Sequence, residues 1–273
     1  MTVQHSQSGR LGSVFATCHD EGRAALIGYL PTGYPSVDVS IDALVALVES
    51  GCDIVEVGVP YSDPGMDGPV IATATEAALQ GGVRVRDTLR AVEAISAAGG
   101  HAVVMTYWNL MLHYGIDAWS RDLAAAGGGL GMITPDLIPD EADEWLAAAE
   151  TYDLDRIFLV APSSTPPERL TKTVEASRGF VYAASTMGVT GARDVVSSAA
   201  PELVARVKEV SDIPPVGVGL GVRSREQAAE IAAFADGVIV GSALVSALTD
   251  GLAAVRTLTE ELAVGVRQKV SAS

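Results

Sequence analysis

Asp53-Ile-Val-Glu-Val-Gly-Val-Pro-Tyr-Ser-Asp-Pro-Gly-Met-Asp-Gly-Pro69 is the stretch on which the reading of this chain turns. It opens as a short β-branched run, the pattern of a strand buried on both faces. Glu56 lies inside that run, where an ionised carboxylate loses its hydration unless something compensates. After Pro60 the composition changes: Ser62, Asp63, Pro64, Gly65, Asp67 and Gly68 carry strong turn chemistry. The loop therefore brings Asp63 and Asp67 close to the end of the strand that holds Glu56. A carboxyl group in an apolar setting beside another in a wetter one is the pattern of a general acid/base pair. The alternative is that a buried cation neutralises Glu56 and the two aspartates only form turns.

Outward from this stretch the same unit recurs. An N-terminal helix over 11–18 is followed by buried strands at 24–30, 53–59, 102–106, 130–134, 156–160, 180–184, 215–218 and 237–240. Amphipathic helices follow at 38–49, 70–98 (interrupted at Gly81-Gly82), 116–126, 140–152, 166–177, 201–210 and 224–233, with a short helix over 242–248 and a longer one from 252. Eight β-then-α units in 273 residues, with no dividing linker, predict a single (β/α)8 TIM-barrel domain spanning 1–273, its first ten residues frayed. A doubly wound open sheet tolerates the same element order. In a barrel, Glu56 and the loop after it lie on the C-terminal face, where catalytic groups are found.

The net charge of −16 argues against a nucleic-acid footprint or an anionic membrane surface. Cys18 and Cys52 are too few for a disulfide framework or a cysteine-based metal site. The polar N-terminus lacks a signal core, and no apolar run reaches the roughly 18–20 residues of a membrane span, so a cytoplasmic protein is expected.

Two glycine-rich stretches come late in the chain. Gly217-Val-Gly-Leu-Gly221 ends the seventh strand, and Gly241-Ser242 ends the eighth and opens the short helix. Loops after strands seven and eight, with such a helix, form the usual barrel phosphate site, where free backbone N–H groups converge on the anion. The alternative is glycines placed for tight turns. The loop from Ser185 to Arg193 is long and polar and reads as a lid.

Exclusions narrow the chemistry. A Schiff base needs a barrel lysine, but Lys172 and Lys208 fall on outer helices and Lys269 in the tail. His5, His19, His101 and His113 lack a ligand spacing, and there is no G-x-S-x-G elbow. What survives is proton transfer by Glu56 and an aspartate on a phosphate ester.

The same residues carry a family likeness. Val55–Pro69, Tyr107-Trp-Asn-Leu110, Thr134-Pro-Asp-Leu137, Gly188-Val-Thr-Gly191 and Gly241-Ser-Ala243 resemble, in order, the motifs of the tryptophan synthase α subunit, in its actinobacterial form. The likeness runs from about Arg23 onward. It implies a (β/α)8 lyase that cleaves indole-3-glycerol phosphate to indole and glyceraldehyde 3-phosphate, a retro-aldol step without Schiff base or metal. By position, Glu56 resembles the acid/base carboxylate that moves protons between the C3 hydroxyl of the glycerol chain and the ring. Asp67 resembles the carboxylate that meets the indole N–H. Tyr182 matches a tyrosine near the reacting groups, and Thr190 the lid threonine that engages Asp67. Gly191, Gly221, Gly241 and Ser242 align with the phosphate cradle, and Ile71 and Leu110 with the indole pocket. Leu220 stands where many members have phenylalanine.

The resemblance also implies an α2β2 complex with a β subunit that holds pyridoxal phosphate (PLP), indole passing between the two through a tunnel. This chain would then carry no cofactor. Asp63 and Asp136 resemble residues at that contact, although Asp136 also reads as a turn residue after the fourth strand. The runs Gly127-Gly128-Gly129, Pro166-Pro167 and Pro214-Pro215 look one residue longer than the family pattern. Two other readings stand beside this one: another phosphate barrel of amino-acid biosynthesis, or a feebly catalytic subunit that serves to activate a partner.

Overall fold

The computed structural model describes residues 9–161, 166–184, 199–210, 214–219 and 221–268. Helix α1 (Gly9–Asp20) precedes β1 (Ala25–Pro31), α2 (Val37–Glu49), β2 (Ile54–Gly58), α3 (Pro69–Gln80) and α4 (Val85–Ala97). Next come β3 (Ala102–Met105), α5 (Trp108–Tyr114), α6 (Ile116–Ala125), β4 (Gly129–Ile133), a 3-10 turn (Pro139–Glu141) and α7 (Asp143–Thr151). The chain continues through β5 (Asp155–Ile157), β6 (Leu159–Val160), α8 (Pro167–Ala176), β7 (Val181–Ala184) and α9 (Ala199–Lys208). It ends with β8 (Val216–Gly219), α10 (Arg225–Ala232), β9 (Gly237–Val240), α11 (Ser242–Thr249) and α12 (Leu252–Val266).

All the paired strands are parallel, in the order β5-β4-β3-β2-β1-β9-β8-β7-β6. The two ends of that order, β5 and β6, are separated only by Phe158, so the chain itself closes the ring. Thr134 N donates to Ile157 O on one side, and Tyr182 N donates to Phe158 O on the other. This is the barrel the element order predicts, rather than the open sheet. The fifth strand, expected unbroken over 156–160, is instead two pieces, because its pairing passes from β4 to β7 at Phe158. The helix expected over 140–152 likewise divides, at Ala142, into the 3-10 turn and α7.

Helix α5 was not foreseen. Its first N–H, on Trp108, donates to both carboxylate oxygens of Asp136 at 2.9 and 3.1 Å. A cap supplied from 28 residues away leaves no local capping signature. Helix α2, by contrast, is capped by its own Ser36, whose hydroxyl accepts from Val39 N.

Side chains alternate across each strand and divide the apolar interior in two. Ala25, Ile27, Ile54, Val103, Ile133, Ile157, Phe180 and Ile239 fill the inside of the barrel. The outer layer, between strands and helices, includes Trp119 and Trp145. Helix α1 closes the floor with Leu11, Phe15 and Cys18, the Phe15 ring lying 5.4 Å from that of Phe180. It is fastened by Asp155, fully buried, whose carboxylate accepts from Leu11 N at 2.6 Å and lies 3.2 Å from the Arg178 guanidinium. Among the described residues no helix is long and apolar enough to cross a membrane.

Candidate active site

Alternation places the site. Ile54 of β2 belongs to the barrel interior, so Glu56, two residues on, also faces inward, one level nearer the C-terminal mouth. The same step carries β1 from Ile27 to Tyr29 and β7 from Phe180 to Tyr182. Tyr29 is the register partner of Glu56. A layer of interior aliphatics thus gives way to a layer with one carboxyl and two phenols.

Room for the phenols comes from missing side chains. A Cβ added to Gly58 would lie 2.4 Å from the Tyr29 hydroxyl oxygen, and one added to Gly219 would lie 2.6 Å from that of Tyr182. Neither glycine could be any other residue without displacing a ring.

Glu56 is 1% exposed, and its Oε2 has no hydrogen-bond partner among the described residues. Loss of hydration, aided by the nearby charge of Asp67, pushes its carboxyl up to about 8. The alternative of a neutralising cation is not met: among the described residues, no ion pair reaches it. Asp67 is half-buried, and desolvation pushes it up to about 6 against the opposing effect of a hydrogen bond from the Tyr107 hydroxyl at 3.3 Å. At neutral pH the mouth therefore holds one protonated and one ionised carboxyl group. Burial, then the charges of Asp67 and Glu56, keep Tyr29 well above the usual phenol range; burial, then Glu56 and Asp67, do the same for Tyr182.

The motif around Tyr107 does not signal the contact its hydroxyl makes with Asp67. Its hydroxyl also accepts from Met66 N at 3.0 Å, so one phenol grips the loop at two successive residues. The ring stacks on Tyr61 at 5.1 Å, and Asn109 Nδ2 donates to the Tyr61 hydroxyl at 3.2 Å. Nothing in the spacing of these residues signals the pairing, because β3 and the loop after β2 meet only through the barrel.

At the other side of the mouth, Gly221 follows β8 with φ +67°, and Gly241 caps α11, whose first residue is Ser242. A Cβ at Gly241 would sit 3.4 Å from Tyr29 Cδ1 and 3.6 Å from Ile71 Cδ1. Ile71, buried in α3, thus lies beside the α11 turn. Leu110 is half-buried in α5 against the outer core. Thr190, Gly191 and Leu220 lie outside the described residues, as does the whole expected lid over 185–193.

Asp63 and Asp136 are both exposed. Asp63 accepts from the Ser62 hydroxyl at 2.6 Å, while Asp136 is the α5 cap rather than a turn residue alone. Of the lysines, Lys172 pairs with Asp140 and Lys208 with Asp236, on the outer helices α8 and α9.

The family model described as Tryptophan synthase alpha chain matches residues 15–272. The chain is 78% identical to the tryptophan synthase alpha chain of Mycobacterium intracellulare, over the full length of both. It is 76% identical to that of Mycobacterium tuberculosis, again over the full length of both. A solved structure of Mycobacterium tuberculosis tryptophan synthase superposes with a TM-score of 0.92 at 77% identity, covering 96% of this chain and all of that one. The crystal structure of the Legionella pneumophila tryptophan synthase alpha subunit still gives 0.82 at 29% identity, covering 94% and 98%.

Proposed function

The chain belongs to the tryptophan synthase alpha chain family, and from that premise we propose how its own residues carry out the retro-aldol cleavage of indole-3-glycerol phosphate. The observation that carries the reading is Glu56, a buried carboxyl without a cation, held protonated to about pH 8 beside an ionised Asp67. Glu56 first gives its proton to the ring carbon that bears the side chain. The positive charge this creates on the indole is met at N–H by the Asp67 carboxylate. Glu56, now ionised, takes the proton of the hydroxyl on the adjoining side-chain carbon. The O–H pair becomes the aldehyde π bond, and the broken C–C pair returns to the ring, leaving indole and glyceraldehyde 3-phosphate. Glu56 ends as it began.

Tyr182 borders the reacting groups, and Ile71 and Leu110 flank the indole. The turn of Gly241 and Ser242 at α11, together with Gly221 and Gly191, receives the phosphate; by the family likeness Thr190 engages Asp67 and Leu220 contacts the indole. The single barrel domain works in the cytoplasm as an α2β2 complex, with Asp63 and Asp136 at the contact. Pyridoxal phosphate belongs to the β subunit, which takes the indole; neither nucleic acid nor membrane is a partner.

The test is release of indole from indole-3-glycerol phosphate with and without the β subunit, for wild type and Glu56→Gln. Faster release with the partner, absent in a variant that still binds phosphate ligand, supports the reading. An inactive wild type, even in the complex, would sink it.

A further inference from the structure

Tyr29 belongs to none of the roles given above, yet it stands between the two halves of the site. It is 6% exposed, faces the barrel interior, and is the register neighbour of Glu56 on β1. One edge of its ring packs at the Gly241 turn, where a Cβ would lie 3.4 Å from Cδ1. Its hydroxyl lies over Gly58, one interior level above Glu56 on β2. The phenol thus reaches from the Gly241 turn to the layer of the carboxylates. The unpartnered Oε2 of Glu56 is buried in the same layer.

We propose that the Tyr29 hydroxyl is a further catalytic group, donating a hydrogen bond to the side-chain oxygen whose proton Glu56 removes. That oxygen gains negative charge as its proton leaves and before the C–C bond has broken. A fixed donor is worth most at that moment. Tyr29 does not give up its own proton, so the balance of the cleavage is unchanged. Burial and the two neighbouring carboxylates keep the phenol protonated throughout the working range, as a donor requires.

The inference rests on the retro-aldol reading, and one experiment separates the two. Wild type and Tyr29→Phe, each as the full chain assembled with the β subunit, are compared for indole release. Binding is measured for an indole carrying a plain three-carbon chain and terminal phosphate, which lacks the hydroxyl in question. The expected result is a kcat about 10²-fold lower in the variant, with affinity for the hydroxyl-free analogue unchanged to about twofold. A variant kcat within about twofold of wild type would overturn the role. So would a loss of analogue affinity as large as the loss of kcat, which would make Tyr29 a packing residue. If wild type itself released no indole, the underlying reading would fail first.

Discussion

At the floor of the barrel Asp155 is wholly buried, and at the mouth Glu56 is 1% exposed, yet only the first has partners. Asp155 accepts from the Leu11 backbone and faces Arg178, and so fastens α1 across the bottom. Burial raises it, and those two partners pull against the rise. Glu56 has phenols and a second carboxyl around it instead, and nothing offsets its desolvation. The same physical cost is compensated in one place and left standing in the other. The difference separates a carboxylate that holds the fold from one whose proton is available for transfer.

The comparison breaks first, and hardest, at Glu56. Glu56→Gln should lower indole release by at least about 10³-fold in the complex with the β subunit. It should also make the fold more stable in alkali. Between the ordinary carboxylate value of 4.5 and about 8, the folded chain holds a proton that the unfolded chain has released. The stability due to this group is therefore fully present below about 4.5 and is lost as pH rises through about 8. Denaturant titration at pH 9 should show the variant ahead of wild type by about 1–3 kcal/mol, and near parity at pH 4.

Asp155→Ala should do the reverse. Removing the Asp155 carboxylate strips Leu11 N of its acceptor and leaves Arg178 with Asp153 alone, at a cost of about 2–3 kcal/mol, visible as a lower denaturation midpoint. Its kcat per folded molecule should match wild type; a collapse of kcat without loss of stability would erase the contrast between floor and mouth.

A smaller effect is expected at Gly58. Gly58→Ala must push the Tyr29 ring aside, because the new methyl would lie 2.4 Å from the hydroxyl oxygen. Steady-state kinetics should show kcat down by about tenfold with the fold retained. The finest test is a pH profile. Activity should fall below about 6, where Asp67 gains a proton, and above about 8, where Glu56 loses one. Tyr107→Phe removes the hydrogen bond that holds Asp67 down, so the acid limb should move to higher pH while the alkaline limb stays. An unmoved acid limb would take Asp67 out of that role.

Much of this was legible in the chain. The β-branched runs and their helical spacers gave the barrel, since strands such as β1, β2, β4 and β9 are buried on both faces and read as near-continuous apolar sequence. Glu56 stood out because a carboxyl among valines is costly wherever it occurs. What could not be read were the pairings made across the barrel. Tyr29 is an ordinary aromatic in an apolar run until its register with Glu56 is known, and Tyr107 meets Asp67 from 40 residues away. Helix α5 was missed for a kindred reason, its cap being Asp136. The break at Phe158 reflects a change of strand partner, which leaves no mark on composition.

The two empty positions at Gly58 and Gly219 also set limits on how this protein can change over generations. Every single-nucleotide route away from either glycine installs at least a methyl group, and each such methyl meets a phenol oxygen at 2.6 Å or less. A lineage cannot therefore narrow the mouth gradually to suit a smaller substrate. It must first displace or replace a tyrosine beside the reacting groups, and so pass through a poorer enzyme on the way. The glycines act as a ratchet that holds the shape of the mouth fixed.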